Sequence, residues 1–477
     1  MMILENLETD AYWYGRFLFY RGLFLTYLLA FLVTHRQFIP LAGEDGILPF
    51  TERVRKTSVT KNPTILAFFP TDTAVRILTY IGLLLSFAGF LGVEWLGFWA
   101  VSLISFVLWA AYLSIMNAGG LFYGYGWESF LVETGFLGIF LGSAYQKVSL
   151  VMVTLSGWLL FRVMFGAGLI KIRGDTCWRD LTCMDYHYET QPMPNPLSWF
   201  AHHMPGWWHK LEVLGNHLTE LIVPFCYVLP QPYAGVGAAL TVLFQGWLML
   251  TGNFSWLNFL TIIVALPLIP DRAYAYLSWT IEPASLSSIP IYQHSAILVY
   301  ALLVVVLSYW PVRNFFSSRQ LMNASFDPLN LVNTYGAFGS ITKKRYELVI
   351  EGRNQGQEWV SYEFKGKPTD PERCPAQWAP YHLRLDWQLW FAAMRNRPRY
   401  WLLELIRKLF EDNNFHRLLA EDPFRDEDGP DEIRIRRFVY SFTSPGEWSD
   451  TGRWWKRRFT ESVVPPIGPE EIEHRLR

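Results

Sequence analysis

One stretch of the chain, residues 157–224, reads GWLLFRVMFGAGLIKIRGDTCWRDLTCMDYHYETQPMPNPLSWFAHHMPGWWHKLEVLGNHLTELIVP. It begins as a long apolar run that carries one arginine, Arg162. It continues as a loop rich in Cys, Trp, His, Tyr and Pro, and a second apolar run follows. A polar loop between two segments that are apolar enough to enter a membrane is costly to place, so we expect function to concentrate there.

The composition indicates a membrane protein with a soluble tail. Hydrophobic residues make up 51% of the 477 residues and charged residues only 17%, whereas soluble domains carry about 25% charged residues. Almost all of the deficit in charge lies before residue 312. The net charge of -1 gives no reason to expect a nucleic acid partner, and four cysteines are too few for a disulfide scaffold.

Apolar runs predict a polytopic α-helical membrane domain over residues 1–311. A helix needs roughly 20 apolar residues to cross the hydrocarbon of a bilayer. About nine candidate spans meet this requirement, some of them weakly: 12–33, 74–93, 95–116, 127–145, 150–170, 211–229, 234–251, 254–270 and 292–310. The 127–145 and 211–229 runs contain several charged residues, so a re-entrant or interfacial helix is the alternative for both.

Residues 312–477 predict a soluble α+β domain, mostly β. The segments 346–352, 359–368 and 433–442 have the composition of strands. The segment 399–422 has apolar residues at helical spacing and predicts an amphipathic helix. The basic, aromatic segment RWWKRRF at 453–459 suits either an interfacial anchor or a solvated end.

Ionisable residues inside apolar runs are the first candidate site. Arg162, Glu128 and Glu133 lie within predicted spans, where an unpaired charge costs about 2.5–3.5 kcal/mol on insertion scales. They form either a structural ion pair between helices or a polar pocket. A second group lies on one face of a single helix, because its offsets are 0, 3, 7, 8 and 11: His209, Glu212, Asn216, His217 and Glu220. The alternatives for this stripe are a metal site and a hydrogen-bonded stripe, and we predict no metal or other cofactor.

The loop at 171–210 carries two further candidates. Cys177 and Cys183 are close enough in sequence for a local disulfide, and a redox pair is the other possibility. Aromatic rings in this loop favour a membrane interface, and exposed rings there would contact a client protein or a lipid; the alternative is an ordered interfacial loop. The rings are Trp178, Tyr186, Tyr188, Trp199, Trp207 and Trp208.

At these residues the chain resembles the lipase maturation factor family, and the resemblance spans nearly the whole sequence. Its motifs are long and specific: GILPF (46–50), YGWESFLVETGFL (125–137), FRVMFGAGLIKIRGD, CWRDLTCMDYHYETQPMPNPLSW, NHLTELIVPF, FQGWLMLTGNFSWLNFLT (244–261), VNTYGAFGSITKKRYE (332–347), WVSYEFKGKP (359–368) and PYHLRLDWQLWFAAM (380–394).

The resemblance implies a multispan membrane protein, resident in the endoplasmic reticulum in animals, that assists the folding and assembly of secreted lipases. It implies a C-terminal domain that faces the lumen, with a partly folded secreted lipase or other exported protein and membrane lipids as partners. It implies no catalytic residue, although a redox role for Cys177 and Cys183 follows as a hypothesis. The rival interpretations are a membrane enzyme that acts on a lipid or quinone-like substrate through the Arg, Glu and His residues, and a thiol oxidoreductase.

Two observations give opposite predictions for the side of the membrane on which the tail lies. Basic residues are more frequent in the loops on the side of the tail, which by the positive-inside rule favours the cytoplasm. A secreted client requires the opposite side, and we favour the client argument.

The short N-terminus and an end without a retrieval signal, EEIEHRLR, suit a bacterial homologue in the inner membrane, for which an animal lipase client cannot be assumed.

Overall fold

A computed structural model describes residues 6–275, 281, 283, 285–395, 397–411, 415–425 and 429–476. The described helices, numbered in chain order, are α1 (Trp13–Ala42), α2 (Phe50–Lys56), α3 (Asp72–Gly92), α4 (Phe98–Gly119), α5 (Gly126–Gly138), α6 (Leu150–Gly174), α7 (Thr176–Arg179), α8 (Met184–Thr190), α9 (Pro196–His202), α10 (Gly206–His217), α11 (Tyr233–Thr251), α12 (Leu257–Ala265), α13 (Asp271–Tyr274), α14 (Ile291–Leu307), α15 (Tyr309–Phe315), α16 (Arg384–Ala393), α17 (Tyr400–Glu411), α18 (Pro445–Thr451) and α19 (Pro469–Leu476).

Six helical segments of the described chain are long and apolar enough to cross a membrane. Their outer faces expose large apolar side chains, for example Leu84 at 69%, Trp99 at 69% and Val299 at 69%. Exposed apolar area on this scale is expected where lipid covers the protein. The six segments are Trp13–Ala42, Asp72–Leu96, Phe98–Tyr123, Leu150–Gly174, Tyr233–Thr251 and Ile291–Phe315.

The other three candidate spans fold as shorter or broken helices. Segment 127–145 forms only the 13-residue α5, and segment 254–270 forms α12 with a short 3-10 turn after it. Segment 211–229 is interrupted, because α10 passes into a π-helical turn at Leu218–Ile222 and then a 3-10 turn at Val223–Val228. Two of these segments carry charged residues that bond to neighbouring elements, for example Glu133 in 127–145 and Glu220 in 211–229.

Hydrogen bonds define the two ends of the bundle. The N-terminal end is held together by Asp271, whose carboxylate accepts from the backbone N–H of Trp13 at 2.9 Å, and by strand β1 (Glu8–Thr9) pairing with β2 (Val148–Ser149). At the opposite end, Gln37 donates to the carbonyl of His382 at 2.7 Å and Asn253 donates to that of Ala376 at 2.9 Å. The C-terminal domain therefore lies at the end of the bundle opposite to the N-terminal segment.

The C-terminal domain is built on a four-stranded antiparallel sheet, and the predicted membrane protein with an α+β tail is confirmed. The sheet order is β10-β9-β5-β6, so β10 is an edge strand. The central strand β5 is buried along most of its length, and Ile350 on it pairs with Ile435 on β9. The strands of this part of the chain are β3 (Ala324–Ser325), β4 (Asn333–Thr334), β5 (Arg345–Arg353), β6 (Val360–Ser361), β7 (Glu363–Phe364), β8 (Leu419–Glu421), β9 (Glu432–Phe442) and β10 (Trp455–Ile467).

Two details of the tail differ from the sequence prediction. The amphipathic helix expected at 399–422 ends at Glu411, and residues 412–414 lie outside the described part; strand β8 follows from Leu419. Most of the segment 453–459, for which an interfacial anchor or a solvated end is expected from the sequence, forms the start of β10. Trp455 is buried, whereas Lys456, Arg457, Arg458 and Phe459 are exposed along this edge strand.

Candidate functional site

Glu133 joins the bundle to the C-terminal part of the chain. Its carboxylate bonds to the guanidinium of Arg162, accepts from the backbone N–H of Asn333 at 3.0 Å, and accepts from the hydroxyl of Tyr335 at 2.6 Å. Arg162 in turn donates to the carbonyl of Asn333 at 2.9 Å. The expected Arg162–Glu133 pair is thus present, and it binds strand β4 rather than lining an open pocket.

Glu128 makes a second connection of the same kind. It accepts from the Nη1 atom of Arg384, on the first turn of α16, at 2.7 Å and from the hydroxyl of Tyr112. His382 lies 3.7 Å away, and burial lowers its pKa to about 4, so it remains neutral at physiological pH. We call the two carboxylates and their partners the seam, because they fasten the C-terminal domain to the end of the bundle.

Two residues of the stripe, Asn216 on α10 and Glu220 on the π-helical turn after it, form a separate group around Lys171. The ammonium of Lys171 lies 2.6 Å from Glu220 and donates to the Oδ1 atom of Asn216 at 2.9 Å. All three side chains are buried. The polar residues that the sequence brings together therefore belong to different networks, and only Asn216 and Glu220 of the stripe share one.

The remaining residues of the stripe contact the loop and α11. His209 contacts Asp185 and the carbonyl of Ala201, each at 3.2 Å. His217 contacts the carbonyl of Trp178 at 2.9 Å. Glu212 accepts from the hydroxyl of Tyr188 and from the indole N–H of Trp247. Within the described residues, no group of three or more His, Cys, Asp or Glu side chains is placed to hold a metal ion.

The loop before α10 is closed by a disulfide between Cys177 and Cys183, whose Cα atoms are 4.8 Å apart. Both cysteines are buried, with 3% and 0% of their area exposed. They pack with Trp178, Met184 and Tyr188 in a small apolar cluster. Sulfur atoms in this position are shielded from the thiols of another protein, which suits a structural disulfide better than an exchanging one.

The C-terminal sheet holds the other half of the loop. Arg345, fully buried on β5, donates to the carbonyls of Glu189 and Pro192, each at 3.1 Å, and to that of Gln191. The indole of Trp199 donates to the carbonyl of Thr443 at 3.1 Å. Proline residues prevent a long helix here, and α9 begins at a capping box formed by Asn195 with Pro196 next to it.

The expectation of exposed rings holds for only part of the aromatic set. Trp178, Tyr188 and Trp199 are 3%, 1% and 4% exposed, because they pack the loop against the sheet and α10. Tyr186 and Trp208 are half-buried. Trp207 is 61% exposed and is the ring of this set that is best placed for contact with a lipid or another protein.

A cavity of about 1050 Å³ lies where the bundle, the loop and the C-terminal domain meet. Its wall includes Lys171, Asn216 and Glu220 from the Lys171 group, together with Glu212 and His187. Sequence reasoning missed this cavity, because its lining comes from segments spread between residues 121 and 401. It also missed Arg384, Asn333 and Arg345, which carry no local signal that distinguishes them from other polar residues of the tail.

Comparisons with known proteins identify the relatives of this chain. The family described as lipase maturation factor transmembrane domain matches residues 14–276, and the lipase maturation factor C-terminal domain matches residues 331–465. Lipase maturation factor 1 of Homo sapiens is 38% identical, over 99% of this chain and 91% of that protein, and its counterpart from Bos taurus is 39% identical over 98% and 91%. Lipase maturation factor 2 of Rattus norvegicus is 29% identical over 94% and 82%. No solved structure matches. The chain is therefore an integral membrane member of the lipase maturation factor family.

Proposed function

We propose that this protein is a membrane-anchored maturation factor that binds partly folded secreted lipases, or related exported proteins, and assists their folding and assembly. The observation that carries the proposal is the similarity to Lipase maturation factor 1 over 99% of the chain. The seam supports it, because it fixes the C-terminal domain against the bundle and keeps it at the membrane. The two buried cysteines favour a binding role over thiol exchange.

The proposal requires the C-terminal domain to lie outside the cytoplasm. The basic residues that argue for the cytoplasm are partly engaged within the protein: Lys171 pairs with Glu220, and Arg173 donates to the carbonyl of Phe315 at 2.8 Å. Their contribution to orientation is therefore smaller than a plain count implies. The C-terminal domain then faces the lumen of the endoplasmic reticulum, or the outer side of the inner membrane in a bacterium.

Cys374 gives a direct test of this orientation. It is an exposed free cysteine in the C-terminal domain, whereas Cys226 lies in the helical bundle. A membrane-impermeant maleimide is expected to label the full chain in intact bacterial spheroplasts, or in microsomes only after the membrane is opened. The Cys374→Ser variant provides the background. Labelling with the reverse membrane dependence places the domain in the cytoplasm and rules out a secreted client.

The edge strand β10 is the surface that we propose for client contact. An unpaired strand edge is able to add a strand from a partly folded protein. Along β10, Phe459 is 53% exposed and the neighbouring Arg457 and Arg458 are exposed as well. A partly folded client with an apolar, acidic strand suits this edge.

Co-expression with a secreted lipase tests the function and the surface together. The full chain is expected to raise the yield of active lipase and to be captured with it before the lipase is fully folded. Phe459→Asp is expected to reduce both effects several-fold. Tyr400→Asp, which changes a ring that is 58% exposed at the start of α17, is the matched control and is expected to behave as the wild type. Unchanged lipase activity with and without the full chain would contradict the proposed function.

A further inference from the structure

The cavity is large, mostly apolar and shaped by aromatic rings. Its volume of about 1050 Å³ slightly exceeds the range of about 300–1,000 Å³ that is usual for ligand pockets. The wall includes Trp127, Phe244, Trp247, Phe254 and Trp387. An apolar cavity of this size, with a few polar groups in its wall, is typical of a site for a ligand with a long hydrophobic part.

Several polar side chains in the wall have atoms without hydrogen-bond partners. Among them, Asn216, Glu220, Gln245 and His187 are each at least nine-tenths buried, with 6%, 4%, 5% and 8% of their area exposed. Their unpartnered atoms are the Nδ2 of Asn216, the Oε2 of Glu220, the Oε1 of Gln245 and the Nδ1 of His187. Buried polar atoms almost always have a partner. Because these residues line the cavity, a molecule bound there is able to supply the missing partners.

The charges around Lys171 select against an ionised ligand head at that part of the wall. Lys171 is already paired with Glu220 at 2.6 Å, and Glu212 adds a further carboxylate to the wall. Burial and the charge of Lys171 lower the pKa of His187 to about 4, so its imidazole contributes no charge at pH 7. A carboxylate or phosphate that entered would lose its hydration without gaining a free cation at this part of the wall.

The unpartnered atoms are best matched by a ligand head group that both donates and accepts hydrogen bonds. The Nδ2 of Asn216 is a donor, whereas the oxygens of Glu220 and Gln245 are acceptors. A hydroxyl group supplies both functions and remains neutral. A head with hydroxyls on a short polar backbone matches this wall better than an amine, which carries a charge, or an ether, which only accepts.

The cavity is adjacent to an exposed apolar surface on α10. Leu211 on α10 lines the cavity and is itself 51% exposed, and its helical neighbours Trp207 and Leu214 are 61% and 49% exposed. A ligand with an acyl chain reaches the cavity along this face without crossing water. Arg395 and Arg399 also line the cavity and are exposed on the C-terminal domain, so an anionic head at these two residues is the competing arrangement.

We propose that the cavity binds a neutral acyl lipid with a hydroxyl-bearing head, the chemical class of the monoacylglycerols. The acyl chain lies among the aromatic rings. The hydroxyls bond to Asn216, Glu220 and Gln245 beside the Lys171–Glu220 pair. This site is separate from the client surface on β10, so each is tested on its own.

Two glycines make a matched pair of variants for the test. A Cβ atom added at Gly215 or at Gly246 meets no heavy atom within 4 Å, so both positions accept a side chain. Gly215 lines the cavity, whereas Gly246 on α11 does not. Gly215→Phe is therefore expected to fill the cavity, and Gly246→Phe is expected to leave it open. Thermal unfolding of both variants checks that each is folded.

Binding of radiolabelled mono-oleoylglycerol to the full chain in phosphatidylcholine nanodiscs gives the result. We expect saturable binding by the wild type and by Gly246→Phe, loss of binding in Gly215→Phe, and about 10-fold weaker binding in Gln245→Leu. We expect unlabelled mono-oleoylglycerol to compete at least 10-fold better than oleate. The absence of saturable binding to the wild type, wild-type binding by Gly215→Phe, or stronger competition by oleate would each overturn the proposal.

Discussion

The seam and the cavity use the same kinds of buried polar residue, but they differ in how completely the acidic groups are bonded. In the seam, both oxygens of Glu133 and both oxygens of Glu128 have hydrogen-bond partners. At the cavity, the Oε2 of Glu220 has none. A carboxylate with both oxygens bonded holds two parts of the chain together, whereas a carboxylate with a free oxygen is able to bond to a ligand. We therefore expect substitutions in the seam to lower the free energy of unfolding more than substitutions at the cavity.

Glu128→Leu is expected to have the largest effect. It leaves the fully buried guanidinium of Arg384 without its carboxylate, and breaking a buried pair from one side costs about 3–5 kcal/mol. Thermal unfolding of the purified full chain measures the loss. The double variant Glu128→Leu/Arg384→Leu is expected to recover part of it, because neither charge then remains buried alone. A double variant that is less stable than both single variants would show that the ion pair is not the cause.

Glu133→Gln is expected to cost about 3 kcal/mol of unfolding free energy, somewhat less than Glu128→Leu. The amide oxygen still accepts a hydrogen bond from Asn333, but Arg162 loses its counterion. Because β4 is held by these bonds, we also expect faster cleavage by trypsin between α15 and β5. Ser129→Ala, one turn away on α5, is the control. Equal cleavage rates in wild type and Glu133→Gln would separate Glu133 from the attachment of the C-terminal domain.

Glu363 is bonded less completely than the carboxylates of the seam but does have an ion-pair partner. Its only ion-pair partner within the described chain, Arg373, lies 3.7 Å away. Burial raises the pKa of Glu363 to about 7, with Arg373 opposing the change. Between about pH 4.5 and 7, the folded chain keeps a proton that the unfolded chain has lost. The free energy of unfolding therefore falls as the pH rises through this window.

Glu363→Gln removes this dependence. The variant is expected to equal the wild type near pH 4.5 and to exceed it by about 1–2 kcal/mol at pH 8. Tm values of the full chain at the two pH values measure the difference. Glu358→Gln, which neutralises an exposed carboxylate of the same domain, is the control. A constant difference between Glu363→Gln and wild type at both pH values would contradict the assignment.

Gln245→Leu is expected to have the smallest effect on stability. The Oε1 of Gln245 has no partner, and its amide contacts only the sulfur of Met164 at 3.3 Å. Replacing it with an apolar side chain of similar size is expected to change the free energy of unfolding by less than about 1 kcal/mol. Thermal unfolding without added lipid checks this. A loss as large as that of Glu128→Leu would mean that the cavity residues serve stability in the same way as the seam.

The sequence predicts the architecture better than the site, for a physical reason. Apolar length identifies the long helices, and alternation identifies the strands at 346–352 and 433–442, because both signals are local. The stripe on α10 also follows from local spacing. The partner of Glu128, in contrast, is 256 residues away, and Arg384 resembles many other charged residues of the tail. Lys171 lies at the end of an apolar run, so its sequence position predicts an exposed charge at the membrane surface, although the side chain is buried.

The span of the seam along the chain has a consequence for biosynthesis. Glu128 and Glu133 are made early and enter the bundle with α5, whereas their partners Arg384 and Asn333 follow 256 and 200 residues later. A nascent chain that has not yet reached Arg384 leaves Glu128 without its counterion, and one that has not reached Asn333 leaves Glu133 with Arg162 but without its hydrogen bonds to β4. The helical bundle thus completes its internal bonding only after the tail has been translated.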